Sequence, residues 1–143
     1  MLEGEDVIAN RKVFVRKLEV MEPPLPKSGG RVHNSSGEIA QIINDFEIKY
    51  IAYIDFIEDS KTPRGNHYHQ EKDEYLYIIK GKLKAIYVDI ETEEREEFLF
   101  ETGDIINTKP KCAHVYFPLE YTQLLEFSPN VYDPSDTRKY IVV

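Results

Sequence analysis

At 143 residues the chain is the length of one domain, large enough to bury a core. Its composition, 41% hydrophobic, 12% aromatic and 31% charged, is that of an ordinary globular protein. A net charge of −8, with a pI near 5.0 and no basic cluster, argues against a nucleic-acid surface, and no apolar run approaches a membrane span.

The start, Met1 to Asp6, is acidic and lacks a basic stretch followed by an apolar one, so it does not read as a secretory signal. A single cysteine, Cys112, cannot form an internal disulfide. Both features lead to the expectation of a cytoplasmic protein. Ten tyrosines, no tryptophan and many Val and Ile favour strands.

In chain order, residues 1–10 carry charge without period and are expected to be loose. Lys12 to Leu18 alternates polar and apolar and predicts a first strand. Met21 to Gly30, with three prolines and two glycines, predicts a connector, an arm that carries the first strand away from the body. His33 is expected to be solvated. From Gly37 the chain becomes almost continuous strand, so residues 1–36 are read as strand plus arm and 37–143 as the body.

Strands are predicted at Glu38–Ile43 and Ile48–Ile57. The second is apolar on both faces and is therefore expected to be covered on both. After a loop at Lys61–Pro63 comes Arg64-Gly65-Asn66-His67-Tyr68-His69, then Tyr75–Lys80 and Lys82–Asp89 around Gly81, a hairpin. Glu97–Glu101, Asp104–Thr108, Ala113–Phe117 and Glu120–Phe127 follow as strands, separated by turns. Glu93 to Glu97 is expected to be a solvated edge. Pro134 to Tyr140 predicts one helical turn. Short strands with turns every eight to twelve residues or so predict an antiparallel sandwich or barrel. There is no internal repeat.

His67 and His69 are two apart, so on one strand they share a face. Glu74 lies five residues on, and an unbroken strand would turn it away. The polar run Gln70 to Asp73 is therefore expected to bend the chain and return Glu74 to the same pocket. The later stretch Gly103 to His114, a glycine turn, a strand and a proline turn, delivers a third histidine, His114. Three imidazoles and a carboxylate suit a divalent metal, Zn²⁺, Mn²⁺, Fe²⁺ or Ni²⁺. Neutral imidazoles also suit proton transfer. The sequence leaves both uses open.

These residues resemble the two motifs of the cupin superfamily, the first at Gly65, His67, His69, Glu74 and Gly81, the second at Gly103, Pro110 and His114. Cys112 stands where the second motif usually has glycine, and cysteine is poor at positive φ. The resemblance covers about residues 60–120 and implies an all-β, antiparallel double-sheet jelly roll, closed by the short C-terminal helical turn. More narrowly, Arg64-Gly65-x-His67-x-His69, the lead-ins Gly37-Glu38-Ile39 and Phe46 to Tyr50, and the tail from Phe127 to Asp136 resemble cupins acting on nucleotide-linked keto-sugars. These are the 3,4-ketoisomerases and the relatives of dTDP-4-dehydrorhamnose 3,5-epimerase. Thr62 to His69 also resembles zinc-binding capsular-polysaccharide cupins. In the isomerases the position of Glu74 is commonly Gln, and they work without metal.

The resemblance implies proton abstraction next to a ketone, with His67 and His69 as bases, a tyrosine hydroxyl such as Tyr116 or Tyr53 as donor, and Arg64 gripping a pyrophosphate. Lys111 is a further candidate for substrate binding. The competing reading is a metal-dependent oxygenase, or a binding module without catalysis, with His67, His69, Glu74 and His114 as ligands. The arm and the doubly apolar strand predict a homodimer that exchanges its N-terminal strand.

Overall fold

The computed structural model describes residues 6–8, 12–58 and 62–143. They form antiparallel strands in two facing sheets and one hairpin. The six-stranded sheet has the order β1 (Asp6–Ile8), β2 (Val13–Lys17), β10 (Asp104–Thr108), β7 (Glu74–Lys80), β12 (Thr122–Ser128), β5 (Tyr50–Phe56). The five-stranded sheet has the order β13 (Thr137–Lys139), β6 (Arg64–His69), β11 (Cys112–Pro118), β8 (Lys82–Asp89), β9 (Arg95–Glu101). β3 (Gly30–Asn34) and β4 (Gly37–Gln41) pair as a separate hairpin. This is a jelly roll, an antiparallel sandwich as the strand pattern predicted and of the kind that the cupin resemblance implied.

Alternation along the strands builds three apolar layers. Between the sheets lie Val13, Val15, Leu76, Ile78, Leu83, Phe100, Ile106 and Leu124, all buried. Tyr75, Tyr77, Ile105 and Phe127, on the other face of the six-stranded sheet, pack with Ala40, Ile42, Ile43 and Phe46 from β4 and the segment after it. Ile86, Val88, Ala113 and Val115, on the outer face of the five-stranded sheet, pack with Tyr140 and Val142 of the C-terminal tail. Asn66 anchors that tail: its carbonyl accepts from the Tyr140 N–H (2.9 Å) and its side chain from the Val142 N–H (2.8 Å).

Several expectations are corrected. Gly30–Asn34, read as part of the connector and its sequel, is strand β3; His33 is exposed, as expected, and pairs across the hairpin with Glu38. Asp6–Ile8, read as loose, is paired to β2, while residues 1–5 and 9–10 of that expectation lie outside the described residues. So does Lys61 of the predicted loop. β2 does not leave the body: it pairs along its whole length with β10 of the same chain. The predicted helical turn shortens to a 3-10 turn at Pro134–Asp136, and Thr137–Lys139 runs on as β13, because β6 offers an open edge. β5 is covered on one face, but Ile51 and Tyr53 on the other are 58% and 55% exposed. Among the described residues no helix is long and apolar enough to cross a membrane.

Candidate functional site

Both sheets supply the site. His67 and His69 stand two apart on β6, and His114 on β11 is the cross-strand partner of His67. The three imidazoles form one cluster, with ring centroids 4.9 Å apart for His67–His114, 5.1 Å for His67–His69 and 5.8 Å for His69–His114. Glu74 opens β7 in the opposite sheet and faces them across the barrel. Its carboxylate oxygens lie 3.5 Å from His69 Nε2 and 3.8 Å from His114 Nε2. The odd spacing from His69 to Glu74 is thus resolved by a change of sheet.

The crossing loop is held by side chains from the tail. Asp136 accepts from the backbone N–H groups of Glu71 (2.8 Å) and Lys72 (3.1 Å), and Asn130 Oδ1 from that of Asp73 (3.0 Å). Asn107 Nδ2 donates to Asp73 Oδ1 (2.7 Å) and to the Glu74 carbonyl (3.1 Å). On the other side of the cluster, β6 and β11 pair through a register shift between His114 and Val115. Gly65, at φ +118°, fits there because a Cβ would sit 2.4 Å from the His114 carbonyl oxygen. The residue of positive φ in the second motif's turn is Lys111 (φ 61°), not Cys112, so cysteine in the usual glycine position brings no strain. Cys112 is buried at the start of β11, and burial pushes its thiol up to about 12.

A cavity of about 290 Å³ joins the cluster to solvent, lined by Ile54, Phe56, Arg64, His67, Glu74, Leu76, His114, Tyr116, Leu124 and Glu126, with Gly65. Arg64 stands at its mouth, with its guanidinium 5.2 Å from the Phe56 ring centroid and Nη2 donating to the Asp55 carbonyl (3.0 Å). Tyr116 Oη lies 3.4 Å from Glu74 Oε2 and 3.3 Å from Tyr87 Oη. Lys111 does not line this cavity. It is exposed, and its main chain donates to the His69 carbonyl (2.8 Å). Tyr53 is on the outer face, where its hydroxyl accepts from Gln123 Nε2 (2.9 Å).

Two lining or flanking groups escaped sequence reasoning. Glu126 shares the inward face of β12 with Leu124, and its carboxylate accepts from Lys72 Nζ at 2.9 Å. A charged residue at an inward position of an alternating strand was the available signal. Lys72, in the crossing loop, also lies 4.7 Å from the Tyr50 ring centroid.

Burial sets the protonation states. Burial, with His114 and His69 adding to it, pushes His67 down to about 4, and burial also lowers His114. Both are neutral near pH 7. Burial raises Glu74 while His114, His69 and Lys72 lower it, and with His67 and His114 neutral the Lys72 ammonium is the standing positive charge that keeps the carboxylate ionised. Glu126 is pushed up to about 7, by burial first and then by the Glu74 charge. Lys72 stays protonated, since Glu74 and Glu126 outweigh its burial. Burial, Tyr87 and Glu74 keep Tyr116 a neutral O–H.

The donor set fits a divalent metal. One ligand atom from each of His67, His69 and His114 lies within 4.8 Å of the others, while Glu74 stands outside this trio, with carboxylate oxygens 3.5 Å from His69 Nε2 and 3.8 Å from His114 Nε2. His114 Nδ1 meets the Cys112 carbonyl at 3.1 Å, an acceptor that fixes the proton on Nδ1 and leaves Nε2 bare. His69 Nδ1 lies 3.3 Å from Thr137 Oγ1, and its Nε2 faces Glu74.

No family profile and no curated protein sequence matches the chain. Its structure matches solved structures over most of its length. The cupin QdtA, a sugar 3,4-ketoisomerase from Thermoanaerobacterium thermosaccharolyticum solved in complex with TDP, superposes with a TM-score of 0.71 at 19% identity, covering 90% of this chain and 88% of QdtA. The chain has the cupin jelly-roll fold. ChmJ, a 3'-monoepimerase from Streptomyces bikiniensis solved with dTDP-quinovose, superposes with a TM-score of 0.73 at 11% identity, over 93% of this chain and 71% of ChmJ. WlaRB, a TDP-quinovose 3,4-ketoisomerase from Campylobacter jejuni, gives 0.67 at 21% identity, over 79% and 89%.

Proposed function

We propose that this cupin binds a divalent metal and isomerises or epimerises a nucleotide-linked keto-sugar by moving a proton next to the carbonyl. The observation that carries the reading is the meeting of neutral His67 and His114 with ionised Glu74 at the base of a cavity whose mouth holds Arg64. Structural neighbours described as TDP-sugar isomerases and epimerases support it.

The chemistry needs no oxidant. A base takes the proton from the carbon beside the ketone, the electron pair moves to oxygen as an enediolate, and a donor protonates that oxygen. In isomerisation the neighbouring hydroxyl then returns a proton to the donor as the base protonates the former carbonyl carbon; in epimerisation the enol oxygen returns its proton to the donor as the same carbon is protonated on its other face. In the metal-free protein His67 is the base, because its lone pair is free near pH 7. Tyr116, held as an O–H against Glu74, lines the same space as the donor. Arg64 has the planar fork that suits a pyrophosphate, and it turns from the Asp55 carbonyl to reach one. A metal held by His67, His69, Glu74 and His114 would supply a Lewis acid for the ketone oxygen. The imidazole lone pairs are then committed, and Glu126, pushed up to about 7 on the cavity wall, is the group left to carry the proton.

The second reading, a metal-binding cupin without sugar chemistry, is favoured by Glu74 itself and by the second carboxylate at Glu126. Two carboxylates make the cavity a better host for cations than for a diphosphate. One experiment separates the readings. The protein is incubated with TDP-4-keto-6-deoxyglucose in deuterated water, once after chelation and once with added Zn²⁺ or Mn²⁺, and deuterium in the sugar is read by NMR. Incorporation in either arm supports the isomerase. Folded protein that takes up one equivalent of metal and exchanges no proton supports the second reading.

A further inference from the structure

The cavity wall opposite the histidines carries two carboxylates and one ammonium. Glu126 stands across from Leu76 of β7, and Glu74 is two residues from Leu76 on the same inward face. That diagonal is within reach of long side chains, and the two carboxyl groups meet side chain to side chain. Glu74 in turn lies 3.5 Å from His69 and 3.8 Å from His114. Glu126 is therefore one carboxyl group removed from the imidazole cluster. Yet the partner it takes is not an imidazole: Lys72 Nζ donates to Glu126 Oε2 at 2.9 Å. Both side chains of this pair are close to buried, 12% exposed for Lys72 and 15% for Glu126. A carboxylate so enclosed needs a positive partner, and among the described residues Lys72 is the cation that pairs with it.

Lys72 is itself held in place. Its backbone N–H donates to Asp136 Oδ2 (3.1 Å). Its ammonium lies 4.7 Å from the Tyr50 ring centroid, and Tyr50 is backed by Tyr132, stacked at 5.7 Å with an interplanar angle of 21°. Tyr50 is on β5 and Glu126 on its neighbour β12, so ring and carboxylate meet the ammonium from adjacent strands of one sheet. We infer that Lys72 is a positioning residue that keeps Glu126 off the metal centre. This rests on the metal binding proposed above. His67, His69, Glu74 and His114 make four ligands, so an octahedral ion such as Mn²⁺ has two positions left. Metal sites that do chemistry keep a position open, and structural ones are closed. Glu126 touches one of the ligands and has the chemistry of another, so a freed Glu126 closes one of those positions. Tied to Lys72, it stays an unligated carboxylate on the cavity wall, facing the space a substrate would fill.

The test counts the waters on Mn²⁺, by water-proton relaxation of the full chain loaded with that ion. Lys72→Met keeps the stem and removes the charge, so Glu126 is expected to turn to the ion. Relaxivity per bound Mn²⁺ then falls by roughly half, as one open position remains where there were two. Loss of the ammonium alone would tighten the ion without displacing water, so relaxivity decides the matter and affinity does not. Lys72→Met/Glu126→Gln is expected to regain the relaxivity of wild type, and Lys72→Arg, which keeps the charge, to retain it. Glu126→Gln alone is expected to match wild type as well, and it leaves Lys72 in place should Lys72→Met fail to fold. A higher relaxivity in Glu126→Gln than in wild type would mean that Glu126 already ligates, and would overturn the proposal. So would a folded Lys72→Met with wild-type relaxivity, or a double variant that keeps the reduced value. Those results leave metal binding standing, whereas wild type that binds no Mn²⁺ overturns the metal reading and this proposal together.

Discussion

His67 shows how much of the site's behaviour follows from the surroundings of one side chain. Its imidazole is held near 4 by burial and by His114 and His69, against an ordinary value of 6.5. Between those two values the unfolded chain binds a proton that the folded chain does not, so stability rises with pH across that window. The contribution is fully present above about 6.5 and is lost as pH falls toward about 4. His114 acts in the same direction, and Glu126, raised to about 7, acts in the opposite one. Urea unfolding of chelated protein at about pH 7 and about pH 5 therefore isolates His67 when wild type is compared with His67→Asn. Wild type is expected to lose more stability over that interval than the variant. Equal losses would mean that the histidine is solvated and free to ionise.

The residue scale also marks where the sequence was transparent. Three histidines and Glu74 were legible as one set because their types are rare and their spacing has a chemical purpose. Glu126 was not, since it is one of many acidic residues and only its inward register on β12 distinguishes it. Tyr116 and Tyr53 were alternatives with the same side chain. Strand parity separates them only once the sheet is known: Tyr116 points into the cavity and Tyr53 out.

At the scale of elements, the decisive piece is the loop that carries the chain from β6 in one sheet to β7 in the other. Its conformation rests on acceptors from elsewhere: both Asp136 oxygens and Asn130 Oδ1 take its backbone N–H groups. Asp136→Ala leaves two of those donors without their acceptor. A loss of about 1–2 kcal/mol of stability is expected in thermal unfolding, together with weaker metal uptake as Glu74 drifts from the histidines. Unchanged stability and unchanged metal affinity would show that the loop holds itself.

Element boundaries were the least legible part of the fold. β3 was missed because Gly29 and Gly30 read as a connector, and the strand is apparent only through its pairing with β4. β13 was missed because the turn signal at Pro134 is genuine but stops after three residues, when the edge of β6 offers backbone partners. At β13 long-range pairing overrode a correct local signal, whereas β3 is held by its sequence neighbour β4 in a tight hairpin. β5 is the converse. Its two apolar faces were read correctly from sequence, and the single chain covers one of them.

Over the whole molecule, the jelly roll acts as a clamp. The five-stranded sheet presents three histidines from two adjacent strands, the six-stranded sheet presents Glu74 and Glu126, and the space between them opens past Arg64. Neither sheet holds the site alone, so the metal binding and proton transfer proposed for it both require the two sheets together. The measurement that tests this account most directly is the rate of solvent deuterium uptake by TDP-4-keto-6-deoxyglucose, compared between wild type and folded His67→Asn after chelation. The account predicts measurable uptake in wild type and a loss of about 10²–10⁴-fold in the variant. Equal rates in the two proteins, or no uptake by either the metal-free or the metal-loaded wild type, would contradict it.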